Sequence, residues 1–182
     1  MMAESPDAAF VLREANRNDL PAVQALLART WHATYDAHYG ADEVDAITAR
    51  WHAVPALEAQ MAQPGTLMLV AQDGAGKIVG ELYISQPPQH APSDDAMLHR
   101  LYVDPDAQGT GVGTALLRAG LKAVPATAAL TLEVEPANKS AIAFYERHGF
   151  AAATTVASCG SANDGGGVDH AALVMRRPAA TR

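Results

Sequence analysis

The chain has 182 residues, of which 49% are apolar and 18% charged, with a formal charge of −7; this is enough for one domain with a substantial core and excludes a disordered chain. The acidic balance argues against nucleic-acid binding, which needs a basic footprint, and suits a cationic small molecule. No apolar run approaches the ~20 residues of a membrane span, and the start "MMAESPDAAF" carries acids where a signal peptide has bases, so a cytoplasmic protein without a membrane partner is expected.

Residues 1–9 and 178–182 read as tails around a single domain, 10–177. "FVLREAN" reads as a strand, and "NDLPAVQALLART" as a helix capped by Asn18 or Asp19 with Pro21 in its first turn. "ADEVDAITARWH" and "PALEAQMA" are two further helices. "GTLMLVAQ" and "KIVGELYIS" flank "DGAG", so Asp73–Gly76 is expected to turn an antiparallel hairpin. After "QPPQHAPSDD" come a strand at 96–104, a helix at 111–123, a strand at 129–134 and a helix at 138–148. Two strands near 150–158 and 168–176 close the chain around a glycine-rich loop that holds Cys159, an incidental thiol with no partner for an internal disulfide. His90, His148 and His170 read as loop or helix-end residues. The order implies an α+β fold.

The chemistry is concentrated in "LYVDPDAQGTGVGTALL", where a strand ends at Asp104-Pro105 and a helix begins inside a run of glycines. The first turn of a helix has N–H groups without internal partners, and together with the macrodipole they favour an anion. Glycine at 109, 111 and 113 removes the side chains that would hold a diphosphate away, and Gly113 also lets the helix lie close to a strand. The stretch lacks the lysine of a P-loop, and its G-x-G-x-G spacing departs from the dinucleotide fingerprint.

The pattern Gln108-x-x-Gly111-x-Gly113, preceded by "LYVDP", resembles the acetyl-coenzyme A signature of the GNAT superfamily of N-acetyltransferases. A second block, "LEVEPANKSAIAFYERHGF", resembles the later segment of that family in order and spacing. The resemblance implies a GNAT-like fold: a mixed, mostly antiparallel sheet of about six to seven strands with helices on both faces. It also implies direct transfer of an acetyl group from acetyl-coenzyme A to a primary amine, with no metal. A coenzyme A-binding module without turnover is the alternative, and the state is monomer or homodimer.

The resemblance assigns the diphosphate to Gln108, Gly109, Thr110, Gly111, Val112, Gly113 and Thr114. It assigns the pantetheine arm to the backbones of Leu101, Tyr102 and Val103, on a strand that splays from its neighbour, and to Asn138. Tyr145 is placed by the thioester sulfur, where its hydroxyl, protonated at neutral pH, can donate to a leaving thiolate. Asn138 also reads as a helix N-cap, and Gly149 as a left-handed helix stop with Phe150 behind it. A glutamate that some family members carry on the strand before the glycines corresponds here to Met97. The base is therefore expected at Glu81 or His99, with Glu133 and Glu135 on a neighbouring strand. In "TWHATYDAHYG", Trp31, Tyr35 and Tyr39 recur four apart as one helical stripe. That stripe reads either as core-facing or, with His32, as the acceptor site, where aromatic faces hold a cationic small-molecule amine. His32 and His38 make a weak metal pattern.

Overall fold

The computed structural model describes residues 10–87, 95–156 and 172–179. In chain order they form β1 (Phe10–Glu14), α1 (Leu20–Tyr39), α2 (Ala41–Trp51), α3 (Val54–Met61), β2 (Thr66–Asp73), β3 (Ile78–Ser85), β4 (Ala96–Val103), α4 (Val112–Ala123), β5 (Leu130–Val134), α5 (Lys139–Arg147), β6 (Ala151–Val156) and β7 (Ala172–Arg177). The expected glycine-rich loop, Cys159, His90 and His170 lie outside the described residues.

The strands form one mixed sheet in the order β1-β2-β3-β4-β5-β7-β6. β4 and β5 are parallel, whereas β1 with β2, β5 with β7 and β6 with β7 are antiparallel. Two compact units divide the chain, one of Met1–Tyr83 with Arg100–Gly120, the other of Ile84–His99 with Leu121–Arg182.

In the first unit the cap expected from Asn18 or Asp19 is built differently. Asn16 accepts from the Asn18 N–H at 2.9 Å while Asp19 accepts from the Asn16 N–H at 2.8 Å. This box starts a single 3-10 turn, Arg17–Asp19, that leads into α1. The Asp19 carboxylate is held by the Arg13 guanidinium at 2.7 and 2.8 Å and makes no cap bond to α1. With no glycine or further proline to stop it, α1 runs on through the aromatic cluster to Gly40, whose φ of +82° only glycine takes readily. Its first half buries Leu20, Val23, Leu26 and Leu27 with Leu57, Met68, Val70, Ile78 and Tyr83.

The hairpin forms as expected. Asp73 Oδ1 accepts from the N–H groups of Ala75 and Lys77, both at 2.9 Å. Beyond it, a Cβ on Gly80 would stand 2.7 Å from Val112 Cγ1 and 2.8 Å from Leu116 Cδ1. The close approach of α4 to the sheet, which the sequence assigned to Gly113, is thus accommodated on β3 by Gly80. Glu81, the next residue, turns the other way to the Arg100 that also meets Gln60 of α3, so α3 and α4 cover opposite faces of β3.

Candidate active site

β4 delivers the chain to the glycine loop through one carboxylate. Asp104 is 2% exposed, and its Oδ2 accepts from Arg29 Nη2 and Lys77 Nζ, each at 2.9 Å, while Oδ1 accepts from the Asp106 N–H at 3.1 Å. Its own N–H donates to Val79 O at 2.9 Å and its carbonyl accepts from the Ala107 N–H at 2.8 Å. Burial pushes this carboxyl up, but Lys77, the Asp106 N–H and Arg29 together outweigh it and hold the group low. Gln108 Nε2 then donates back to Val103 O at 3.3 Å, and Thr110 Oγ1 to Ala107 O at 2.6 Å, folding the loop onto the strand end.

Gly109 and Gly111 have φ of +78° and +92°, with nothing within 4 Å of where a Cβ would sit. Glycine is required there by conformation, and the space beside the backbone is open. The Ala115 N–H donates to Gly111 O at 2.9 Å, so the N–H groups before it belong to the first turn, which an α-helix leaves without internal partners. Val112 is core, packed where the absent Gly80 side chain would be; only its backbone is in question as a ligand contact.

The register between β4 and β5 covers Ala96↔Leu130, Met97↔Thr131 and Leu98↔Leu132. β4 continues for five more residues, to Val103. Leu101, Tyr102 and Val103, the segment expected to bond a pantetheine arm, lie beyond the end of that ladder.

In the second unit Asn138 caps α5, its Oδ1 accepting from the Ala141 N–H at 3.1 Å and from Ser140 Oγ at 3.0 Å. Gly149 takes φ +84° and Phe150 is buried. The half-buried Tyr145 ring stands 5.4 Å from Phe144 and 5.5 Å from Phe150, both edge-on. His148 Nδ1 lies 2.8 Å from Phe144 O, a helix-end contact.

The two candidate bases differ sharply in surroundings. Glu81 is fully buried, and its carboxylate receives Arg100 Nη2 at 3.1 Å and Nε at 3.4 Å. Arg100 also donates to Gln60 Oε1 at 2.7 Å and lies 4.7 Å over the Tyr83 ring. Burial pushes the Glu81 carboxyl up and Arg100 pulls it back. A carboxylate so enclosed is a core ion pair. His99 instead is half-buried, with its Nε2 2.7 Å from Ser85 Oγ.

The aromatic stripe exists, and it is half-buried rather than core. Trp31 and Tyr35 are 4.8 Å apart and Tyr35 and Tyr39 5.7 Å. Trp31 Nε1 donates to Tyr102 OH at 3.1 Å, which ties the stripe to β4. Trp51 and His52 join it, at 6.2 and 5.6 Å from the Trp31 ring. Helical spacing along α1 could not reveal them, because they sit at the end of another helix. His32 departs from the stripe: its ring nitrogens face Asp36 Oδ1 at 2.8 Å and Asp45 Oδ1 at 3.2 Å, bracing α1 against α2. Hydrogen bonding to Asp36 raises its pKa, and two acceptor-only partners call for both nitrogens to carry protons.

His52 is the opposite case. It is 5% exposed, and burial, then the nearby Arg100 charge, lower its pKa to about 3. Among the described residues its Nδ1 and the Trp51 Nε1 are buried without a hydrogen-bond partner. The unfolded chain takes up the histidine proton near pH 6.5 and the folded chain only near pH 3. Between those values the unfolded state binds more protons, so stability falls as pH falls, by ~1.4 kcal/mol per unit. Denaturant titrations at pH 7.5 and 5.5 should show this loss, and His52→Gln should flatten it. An equal loss in that variant would remove His52 as the cause.

Among the described residues, no group of three or more His, Cys, Asp or Glu side chains is arranged to hold a metal, and no helix is long and apolar enough to cross a membrane. The profile of the acetyltransferase (GNAT) family matches residues 21–150. A mycothiol acetyltransferase of Propionibacterium freudenreichii is 38% identical over 90 residues, a match spanning 48% of this chain and 28% of that protein. Among solved structures, the PaiA N-acetyltransferase of Thermoplasma acidophilum, in complex with coenzyme A, superposes with a TM-score of 0.73 at 18% identity, covering 93% of this chain and 98% of that one. The ribosomal-protein-S18-alanine N-acetyltransferase of Escherichia coli gives 0.68 at 24% identity, covering 95% and 96%. With the family profile spanning most of the chain and the mixed seven-stranded sheet in place, this protein belongs to the GNAT acetyltransferase family.

Proposed function

We propose that this protein is an acyltransferase that moves an acetyl group from acetyl-coenzyme A directly to a primary amine of a small molecule. The observation that carries the reading is the glycine loop: two glycines at positive φ, open beside the backbone, leading into a helix N-terminus. A loop of that form fits a diphosphate. The mycothiol acetyltransferase relative supports a small-molecule acceptor.

Acetyl-coenzyme A supplies the acyl group already activated as a thioester. The N–H groups from Gly109 to Thr114 donate to the diphosphate, with Gln108 and Thr110 fixing the loop that presents them. The backbones of Leu101, Tyr102 and Val103 bond the pantetheine arm as an added strand, and Asn138 orients it from the start of α5. Tyr145 donates its O–H to the sulfur as charge gathers there. His99 takes the amine proton, in preference to the enclosed Glu81. Trp31, Tyr35 and Tyr39 present aromatic faces to the cationic acceptor, with Trp51 beside them and His32 as a brace between helices.

The test is release of free thiol from acetyl-coenzyme A against a polyamine, an amino acid, an amino sugar and a peptide N-terminus, with calorimetry on coenzyme A and NAD. Thiol release with at least one amine supports the reading. Coenzyme A binding without release on any amine supports a binding module instead, and NAD binding without coenzyme A binding removes the family's cosubstrate.

A further inference from the structure

β3 and β4 show a break in alternation that ends on a hydrogen-bonded pair of chemical interest. Glu81 and Tyr83 both meet Arg100, so these odd positions of β3 share a face with the even position 100 of β4. Uninterrupted alternation would then put Ser85 on the face of Arg100 and His99 on the opposite one. Yet Ser85 Oγ and His99 Nε2 lie 2.7 Å apart. Bringing them together takes an irregularity in one strand, of the kind that re-aims side chains beside active sites. Ser85 and His99 are each half-buried, so the bond is neither locked in the core nor left to bulk water.

We propose that Ser85 is a positioning and proton-relay residue for His99: its hydroxyl donates to Nε2, holds the imidazole in the tautomer protonated at Nδ1, and carries the acceptor's proton to it. The inference rests on the acetyl-transfer reading above. In the step, the acceptor nitrogen bonds the acetyl carbon and the carbon–sulfur bond breaks, its electron pair leaving on sulfur. Ser85 Oγ takes the proton from that nitrogen while passing its own to Nε2, so serine ends neutral and histidine ends as imidazolium, which returns its proton to solvent. A hydroxyl alone is too weak a base for this; hydrogen-bonded to an imidazole nitrogen that can take up the proton, it is a competent conduit. Ser85 and His99 come from the C-terminal end of β3, away from the Asp73–Gly76 turn, and the middle of β4, 14 residues apart, which is why they were not legible as a pair in the sequence.

Three variants and two readouts test the relay. Ser85→Ala should lower kcat on the best amine of the panel by roughly tenfold or more, with KM for acetyl-coenzyme A within about twofold. Ser85→Thr, which keeps the hydroxyl, should restore most of the rate, and His99→Gln should be as slow as Ser85→Ala or slower. Long-range proton–nitrogen NMR of the free protein reads the His99 tautomer without any substrate: wild type and Ser85→Thr should carry the proton on Nδ1, and Ser85→Ala should shift it toward Nε2. Ser85→Ala with kcat within about twofold of wild type, or with an unshifted tautomer, overturns the relay while leaving acetyl transfer intact. Absence of thiol release by the wild type on every amine overturns the transfer reading and the relay with it.

Discussion

Arg100→Met is expected to destabilise the protein by about 3–5 kcal/mol, measured by denaturant unfolding at neutral pH, because it leaves the fully buried Glu81 carboxylate without its cation. The same change deprives Gln60 of its 2.7 Å donor and Tyr83 of the guanidinium over its ring. The pair itself is a different matter. Removing both charges at once, as Glu81→Leu with Arg100→Met, should recover most of the loss, since two desolvated ions in a core offset little more than their own burial. A double variant as unstable as the single one would show that the charges, and not merely the absence of an orphan, hold this part of the sheet together.

Tyr145→Phe is expected to lower turnover on the order of 10²-fold or more, with coenzyme A affinity by calorimetry and the unfolding midpoint both close to wild type. The ring, which carries the packing against Phe144 and Phe150 at 5.4 and 5.5 Å, is retained. Only the hydroxyl is lost, and with it the donor for a departing thiolate. Steady-state thiol release unchanged in this variant would take Tyr145 out of the chemistry and leave it as a helix aromatic.

What the sequence made legible is local. The Asp73–Gly76 turn, the Asn138 cap, the Gly149 stop and the glycines at 109 and 111 each follow from the conformational limits of one or two residues. The aromatic stripe followed from helical spacing, although its length did not, because nothing before Gly40 marks where α1 ends. The start of α1 at Asp19, with Pro21 in the first turn, was legible, but the missing side-chain cap bond was not: the Asp19 carboxylate is taken by the Arg13 guanidinium and the Asn16 N–H, which depends on where β1 places Arg13. The ion pair of Glu81 with Arg100 and the bond of Ser85 to His99 depend on the register of two strands, 19 and 14 residues apart. Parity along a single strand could say which way Glu81 points. It could not say that an arginine meets it there, and so it left a core carboxylate in view as a candidate base.

Asp104 has a consequence for how the protein tolerates change. Its carboxylate is neutralised twice over, by a cation from α1 and another from the β2–β3 turn, and both Arg29 and Lys77 are nearly half exposed. Seen alone, each is a replaceable surface residue. Loss of either leaves the other in place, so single substitutions at these positions pass without exposing a bare charge under the glycine loop, and their importance shows only when both are gone. Such duplication hides a constraint: the two sites can drift one at a time, but never together.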